Sequence, residues 1–160
     1  MPHVSDFSRK PLNPLKLCSD NEKLNLFFNS FLYSQVKQSR FYGKTGFWQC
    51  SGAYGFRDQL QDSLAFLFSE PEITRTHLFR CACVQFLEGD VLHWWHVTVK
   101  NRQIISGIRT KCSDDLLWLP FVCCEYVRNT ADYSVLNVQI PYIEYDNLLK
   151  NEIVRYIIPK

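Results

Sequence analysis

The amino-acid sequence predicts a mainly α-helical domain, and three features carry that prediction. Apolar residues recur at three- and four-residue spacing through Leu24, Phe27, Phe28, Phe31 and Leu32, and again through Leu60, Leu64 and Leu67. That repeat places side chains on one face of a helix. Two further segments open on helix-start chemistry: Ser69 with Pro71 and Glu72, and Ser113 with Asp114 and Asp115, residue types that satisfy or tolerate the unpaired N–H groups of a first turn. Glycine, the strongest interrupter of a helix, is concentrated between these segments, with four residues in the thirteen from Gly43 to Gly55.

Taken in order, residues 1–19 form an irregular polar N-terminal arm, and 20–160 form the domain. The first helix starts at Asp20, the expected N-cap, and runs to about Gln38. The glycine-punctuated stretch follows, interleaved with Phe41, Tyr42, Phe47, Trp48 and Tyr54, and reads as a loop whose backbone approaches something closely. A second helix begins near Arg57. A third begins at Ser69, carries Ile73, His77, Cys81 and Val84 along one stripe, and ends at Glu88-Gly89-Asp90. After the cluster His93-Trp94-Trp95-His96, residues 97–105 suit a short hairpin or a long loop. A last helix opens at Ser113 and reaches about Arg128, kinked or delayed by Pro120. The remainder shows weak periodicity.

Composition narrows the function classes. Of 160 residues, 46% are hydrophobic and 21% charged, which excludes intrinsic disorder. The net charge of +2 is spread among both signs, so no basic stripe is available to neutralise successive phosphates of a nucleic acid. No window approaches the roughly 18 apolar residues of a membrane span. The 7 cysteines are odd in number, and neither Cys81 with Cys83 nor Cys123 with Cys124 has the two-residue gap of a zinc knuckle. They read as buried, reduced thiols in a cytoplasmic protein. The 15% of aromatic residues fits either a large core or a surface that stacks on sugar rings.

Three segments hold groups capable of chemistry. In Gly52-Ala53-Tyr54-Gly55-Phe56-Arg57-Asp58-Gln59-Leu60-Gln61-Asp62 a glycine-rich loop enters a helix with a planar cation, two carboxylates and two amides. Carboxylates accept paired hydrogen bonds from neighbouring hydroxyls, and arginine fixes them; the same residues also serve as a capped helix start with a local ion pair. In His93-Trp94-Trp95-His96 the indole faces suit the apolar faces of sugars, and core tryptophans with backbone-capping histidines are the alternative. A metal held by His93 and His96 lacks further ligands nearby in sequence, so no metal is expected. Beside Arg109, the adjacent Asp114 and Asp115 point about 100° apart on a helix, so one of them caps the helix and the other faces a site more readily than both act on one bond.

Several of these runs, in this order and spacing, resemble the catalytic domain of glycoside hydrolase family 94. They are Arg40-Phe41-Tyr42-Gly43-Lys44-Thr45-Gly46-Phe47-Trp48-Gln49, Gly52 through Asp62, Glu88 through His96, Arg109 with Ser113 through Pro120, Asp132 through Leu136, and Ile140-Pro141-Tyr142. The resemblance covers residues 24–159. It implies that the chain is an incomplete part of an (α/α)6 barrel, with glycine-rich and aromatic site loops. It also implies a parent activity in which inorganic phosphate attacks a β-glucosidic bond with inversion while an aspartic acid protonates the leaving oxygen. Asp58, oriented by Arg57, matches the family aspartate that binds hydroxyls of the donor sugar. Gln61, Asp62, Trp94, Trp95, His96, Arg109, Asp114 and Asp115 are expected to line or support the same cleft.

The family's general acid lies in a Trp-Asn-Asp motif that this sequence lacks, and its later phosphate-holding His and Thr have no match either. No catalytic residue is therefore expected here, and no cofactor beyond phosphate as co-substrate of the parent reaction. The expected ligand is a β-glucan oligosaccharide, the β-1,2-linked kind fitting the Phe-Arg-Asp-Gln-Leu-Gln-Asp run best. A non-catalytic sugar-binding remnant, or half of a split enzyme completed by a second chain, remain open readings.

Overall fold

The computed structural model describes residues 16–44, 52–98 and 104–158, with only the backbone of residue 105. The N-terminal arm up to residue 15 and most of the Gly43–Gly55 loop lie outside the described residues. Helices make up about half of the chain, and they pack with a small four-stranded antiparallel sheet, of which the mainly α reading admits only the short hairpin offered for residues 97–105.

Helix α1 spans residues 22–42. It alternates α-helical stretches (Glu22–Leu26, Tyr33–Val36) with wider π-helical ones (Phe27–Leu32, Lys37–Tyr42). Asn21, not Asp20, caps it by accepting from the Leu24 N–H at 3.1 Å. Strand β1 (Tyr54–Gly55) leads directly into α2 (Phe56–Ser63), which tightens into a 3₁₀ turn at Leu64–Phe66. Helix α3 (Pro71–Ala82) follows, with proline in its first turn as expected. Strands β2 (Leu92–Val97) and β3 (Ile104–Thr110) come next, then α4 (Asp115–Thr130), a 3₁₀ turn at Tyr133–Asn137 and strand β4 (Val154–Ile157).

The capping box anticipated at Ser69 is not made. Glu70 is the N-cap position, without a side-chain cap bond, because both side chains are spent on α1. Ser69 Oγ meets the Tyr33 hydroxyl at 2.5 Å, and Glu70 accepts from Lys37 Nζ at 2.6 Å. Two further contacts hold α1 by its C-terminal half: Arg40 Nε donates to Asp62 Oδ2 at 2.5 Å, and Phe41 packs edge-on to Phe66 at 5.1 Å. The N-terminal half of α1 buries nothing, and Phe31 is 62% exposed. The stripe of Phe27, Phe28 and Phe31 is thus an apolar surface and not a local core.

The sheet runs β1-β2-β3-β4, antiparallel throughout. Alternation along each strand sends successive residues to opposite faces. One row, Trp95–Gly107–Ile157, carries the buried Trp95 and Ile157 into the core; the neighbouring row, Trp94–Ile108–Tyr156, lies on the outer face. Gly107 is required there: a Cβ would sit 3.0 Å from the Trp94 carbonyl oxygen and 3.1 Å from a Leu92 methyl. Helices α2, α3 and α4 pack against one another, and α2 also touches β2. They close one core around Phe56, Leu60, Leu78, Leu92, Trp95 and Val122. Helix α4 continues through Pro120, so the proline neither delays nor ends it; what it removes is the N–H that would bond the carbonyl four residues earlier.

Helix α4 ends on Ala131, whose φ of 54° is left-handed and whose N–H bonds the Val127 carbonyl at 2.8 Å. An L-residue with a Cβ is strained in that conformation by about 1–2 kcal/mol, whereas glycine is not. Ala131→Gly is therefore expected to raise stability by about 0.5 kcal/mol after glycine's larger unfolded-state entropy is subtracted. The check is a small upward shift of the thermal midpoint; a fall would show that the helix end gains from its methyl group.

The thiols depart from the expected burial. Cys81 alone among the described cysteines is buried, Cys112 and Cys123 are intermediate, and Cys18, Cys83 and Cys124 are exposed; none of these is in a disulfide. No helix among the described residues is long and apolar enough to cross a membrane.

Candidate functional site

Three chain segments converge where β1 becomes α2. Arg57 and Asp58 stand in the first turn of α2, His93 near the start of β2, and Cys112, Asp114 and Asp115 at the entry to α4. The turn into α2 needs no long connection, because Gly55 keeps extended backbone (φ −104°, ψ 134°) up to the residue before the helix. Asp114 and Asp115 stand beside the first-turn N–H groups of α4, where negative charge is favoured.

Arg57 Nη1 donates to Asp114 Oδ2 at 2.9 Å, and its Nε lies 3.7 Å from Asp58 Oδ1. The hydrogen bond to Asp114 raises the Arg57 guanidinium above its ordinary pKa. On the other Asp114 oxygen, the Cys112 thiol donates at 3.0 Å. That bond, together with the Arg57 hydrogen bond, lowers Asp114 to about 2, so it is a carboxylate at any physiological pH; the same contact raises the Cys112 thiol. The side chains of Arg57, Asp58 and Asp114 are 36%, 47% and 49% exposed, so each offers polar atoms to a ligand.

Asp115 sits behind them. It is 1% exposed, and its Oδ2 lies 2.6 Å from His93 Nδ1. This bond holds the imidazole ring to the α4 entry and raises the His93 pKa against the effect of its burial. The second oxygen, Asp115 Oδ1, has no hydrogen-bond partner. A buried carboxylate oxygen left bare costs about 1–3 kcal/mol, a common signature of a position where structure yields to function.

The residues anticipated from the sequence therefore divide. Arg57, Asp58, Asp114 and Asp115 are brought together. Asp62 lies one turn beyond Asp58 on α2 and is bound to Arg40, its pKa raised by burial against the pull of that arginine. Gln61 is exposed, while its neighbour Gln59 is buried and donates to the Arg40 carbonyl at 3.3 Å. Trp95 is buried at 1% exposure and stacks on Tyr54 at 5.6 Å, so its indole is core and presents no face to a ligand. Trp94 and His96 touch each other and Trp94 also meets Tyr156, all on the outer face of the sheet, apart from the carboxylates. Arg109 is 1% exposed and is saturated by internal bonds to Asp90, Glu88 and the Asp146 carbonyl. It is a buried tie between chain segments and does not line the cleft.

Two members of the cluster were not singled out as site residues, His93 and Cys112. The signal for Cys112 was its place two residues before Asp114. His93 falls where the β2 register shifts between Leu92 and Trp94, so simple strand alternation gives no signal for it.

Sequence comparison agrees with this arrangement of motifs. The family described as "Glycosyl hydrolase 94 superfamily, catalytic domain" matches residues 8–155. The chain is 37% identical over 129 residues to the cyclic beta-(1,2)-glucan synthase NdvB of Rhizobium meliloti (strain 1021), covering 81% of this chain and 4% of that protein. It is 28% identical over 156 residues to the N,N'-diacetylchitobiose phosphorylase of Vibrio proteolyticus, and 27% identical to that of Vibrio furnissii, covering 79% of this chain and 19% of each relative. The chain thus spans a fifth or less of the length of these relatives.

Proposed function

The chain belongs to the glycosyl hydrolase 94 superfamily as part of its catalytic domain, and from that premise we propose that it forms one wall of a carbohydrate site in an inverting phosphorylase or transferase acting on β-linked glucans. The activities for which the relatives are named, glucan synthesis and chitobiose phosphorolysis, favour a carbohydrate as the ligand class. We propose a β-1,2-linked glucan within it, on the greater identity to the synthase.

The observation that carries the reading is the triad of Arg57, Asp58 and Asp114, three partly exposed polar side chains fixed to two helix starts. Vicinal hydroxyls of a sugar donate to such carboxylates, and a guanidinium hydrogen-bonded to Asp114 and ion-paired with Asp58 at 3.7 Å lowers the cost of ordering them. Asp114, held ionised, is not placed to protonate a leaving oxygen. Because the sequence lacks the family's Trp-Asn-Asp run, we assign the general acid and the phosphate-binding groups to other parts of the catalytic domain, with inorganic phosphate as the co-substrate. We place this activity in the cytoplasm, where the free thiols stay reduced.

The test is calorimetric titration with β-1,2-linked gluco-oligosaccharides. A hydrogen bond to a charged group is worth about 1.5–3 kcal/mol, so Asp58→Ala is expected to weaken binding by roughly ten- to a hundredfold. Saturable binding lost in Trp94→Ala and kept in Asp58→Ala would overturn the assignment and move the sugar to the outer face of the sheet.

A second reading, favoured by a specific observation, concerns completion of the domain. Phe31 on α1 and Leu117 on α4 are 62% and 61% exposed, and Phe27, Leu116 and Phe121 accompany them. Large apolar side chains left exposed on two helices favour burial in an interface. We propose that the remaining helices of an (α/α)6 barrel cover it, whether they are carried on the same polypeptide or on a second chain. The reading predicts that a separately expressed remainder of such a domain, mixed with this chain, restores phosphate-dependent turnover.

A further inference from the structure

We infer that His93, Cys112 and Asp115 form a binding site for a thiophilic divalent cation of the zinc class. The inference goes beyond the sugar site, which rests on Arg57, Asp58 and Asp114. The three groups come from separate places in the fold: the start of β2, the turn after β3 and the first residue of α4. Each offers one ligand atom, and the three atoms all lie within 4.8 Å of one another.

In a tetrahedral site, metal–ligand bonds of about 2.0–2.3 Å put neighbouring ligand atoms roughly 3.3–3.8 Å apart. The cluster reaches that geometry by contraction of about 1 Å at its widest edge, within the range of side-chain rotation. The donor set is one imidazole nitrogen, one sulfur and one carboxylate oxygen. That combination selects zinc-like ions over magnesium or calcium, which take oxygen ligands alone.

A second, independent observation points to a ligand. Asp115 is 1% exposed and its Oδ1 has no hydrogen-bond partner. Its other oxygen holds His93 at 2.6 Å, so the unpaired atom belongs to a carboxylate already fixed beside the imidazole. A cation supplies the missing partner at the point where burial makes its absence most costly.

The charges and protons balance. Binding converts the Cys112 thiol to a thiolate and releases its proton to solvent; a doubly protonated His93 releases one more from the nitrogen that binds. Thiolate and carboxylate together neutralise the two positive charges of the ion. Asp114 gives up the Sγ hydrogen bond and keeps that of Arg57. Three protein ligands leave a fourth position for water or a ligand hydroxyl.

The experiment uses the intact chain stripped with chelator and then titrated with Co²⁺ as a spectroscopic probe and Zn²⁺ by calorimetry. The expected result is a thiolate-to-cobalt charge-transfer band with tetrahedral visible bands at one ion per chain, displaced by zinc. Cys112→Ser removes the band, and His93→Ala weakens binding at least a hundredfold. Cys124→Ser, which removes an exposed thiol remote in sequence from the cluster, leaves both unchanged. Absence of the band from the native chain overturns the inference, whatever the variants do. Retention of the band in Cys112→Ser overturns it too, since other thiols would then hold the ion. Oligosaccharide titration of the stripped chain reports separately on the sugar site, so either assignment can fail alone.

Discussion

Replacing Arg109 with methionine is expected to lower the stability of the chain by about 3 kcal/mol, the lower end of the cost of breaking a buried ion pair, because the abandoned Asp90 and Glu88 carboxylates are partly hydrated. The guanidinium is 1% exposed. Its Nε and Nη2 form a two-pronged pair with Asp90 at 2.7 and 2.6 Å, and Nη2 also donates to Glu88 at 3.0 Å. Nη1 donates to the Asp146 carbonyl at 3.0 Å, and the plane of the group lies 3.9 Å over the Phe86 ring. One side chain thus joins β3 to the turn before β2 and to the segment leading to β4. Burial works against its charge, yet the hydrogen bond and charge of Asp90, with those of Glu88, raise its pKa above the ordinary value. Lysine cannot replace it, because a point charge does not reach two carboxylates and a carbonyl in one plane. The measurement is urea unfolding of native, Arg109→Met and Arg109→Lys chains, and of a double variant that adds Asp90→Leu. The double variant should recover part of the loss, since the less exposed of the two abandoned carboxylates is then gone and only the more exposed Glu88 remains unpaired. A single-variant cost below about 1 kcal/mol, typical of surface pairs, would show that Arg109 is dispensable to the fold.

Arg109 also shows why part of the site could not be read from the sequence. An arginine five residues before an Asp-Asp pair looks like the cation of that pair, but Arg109 lies on a strand that turns it toward Glu88 and Asp90 instead. Only the pairing of β2 with β3 reveals this, and the pairing leaves little local trace. The run His93-Trp94-Trp95-His96 lacks the apolar–polar alternation of a half-buried strand, since both of its faces carry aromatic rings. Strand β4 is short and lies at the sheet edge, with Val154 and Tyr156 exposed, so its pattern was too weak to separate from loop. The core helices α2, α3 and α4 were legible because each buries part of its surface, and α1 because its apolar residues repeat at helical spacing although they stay exposed. Most boundaries fall within a few residues, but α3 stops at Ala82, well short of the expected end at Glu88-Gly89-Asp90. The capping box missing at α3 has a tertiary cause: Ser69 and Glu70 hydrogen-bond to α1 in preference to their own helix, a use that local spacing does not encode. At the cluster itself, Arg57, Asp58, Asp114 and Asp115 were legible because two helix starts are strong local signals. That they meet each other, and that His93 and Cys112 join them, depends on how β2 and α4 pack.

Acidification is expected to destabilise the chain through His77, and His77→Leu to remove that part of the loss. The imidazole is 3% exposed on α3, packed 4.6 Å from the Phe41 ring with Arg80 Nη1 3.2 Å from its Nδ1. Burial first, and the positive charge of Arg80 second, lower its pKa from 6.5 to about 3. Between those values the unfolded chain carries a proton at this position and the folded chain does not. Folding stability therefore falls as the pH is lowered through 6.5, by about 1.4 kcal/mol per unit, and the loss is complete near pH 3 at several kcal/mol. His93 works with the opposite sign. Its folded pKa is raised by the Asp115 hydrogen bond, so its contribution is complete below the ordinary histidine value and is lost as the pH rises through the folded one. Comparing His77→Leu with the native chain cancels His93, and working between pH 6 and 5 stays above the titration of most carboxylates. In that window the native unfolding free energy should fall by about 1 kcal/mol more than that of the variant. Equal slopes would mean that His77 takes up its proton without unfolding, which requires α1 to lift from α3 at Phe41 and let water reach the ring. The same measurement thus reports on the attachment of the helix whose other half is exposed: a native slope shared with His77→Leu would mean that α1 leaves this core at modest cost, and a difference of the expected size that Tyr33, Lys37, Arg40 and Phe41 hold it firmly enough to present its apolar half to a partner.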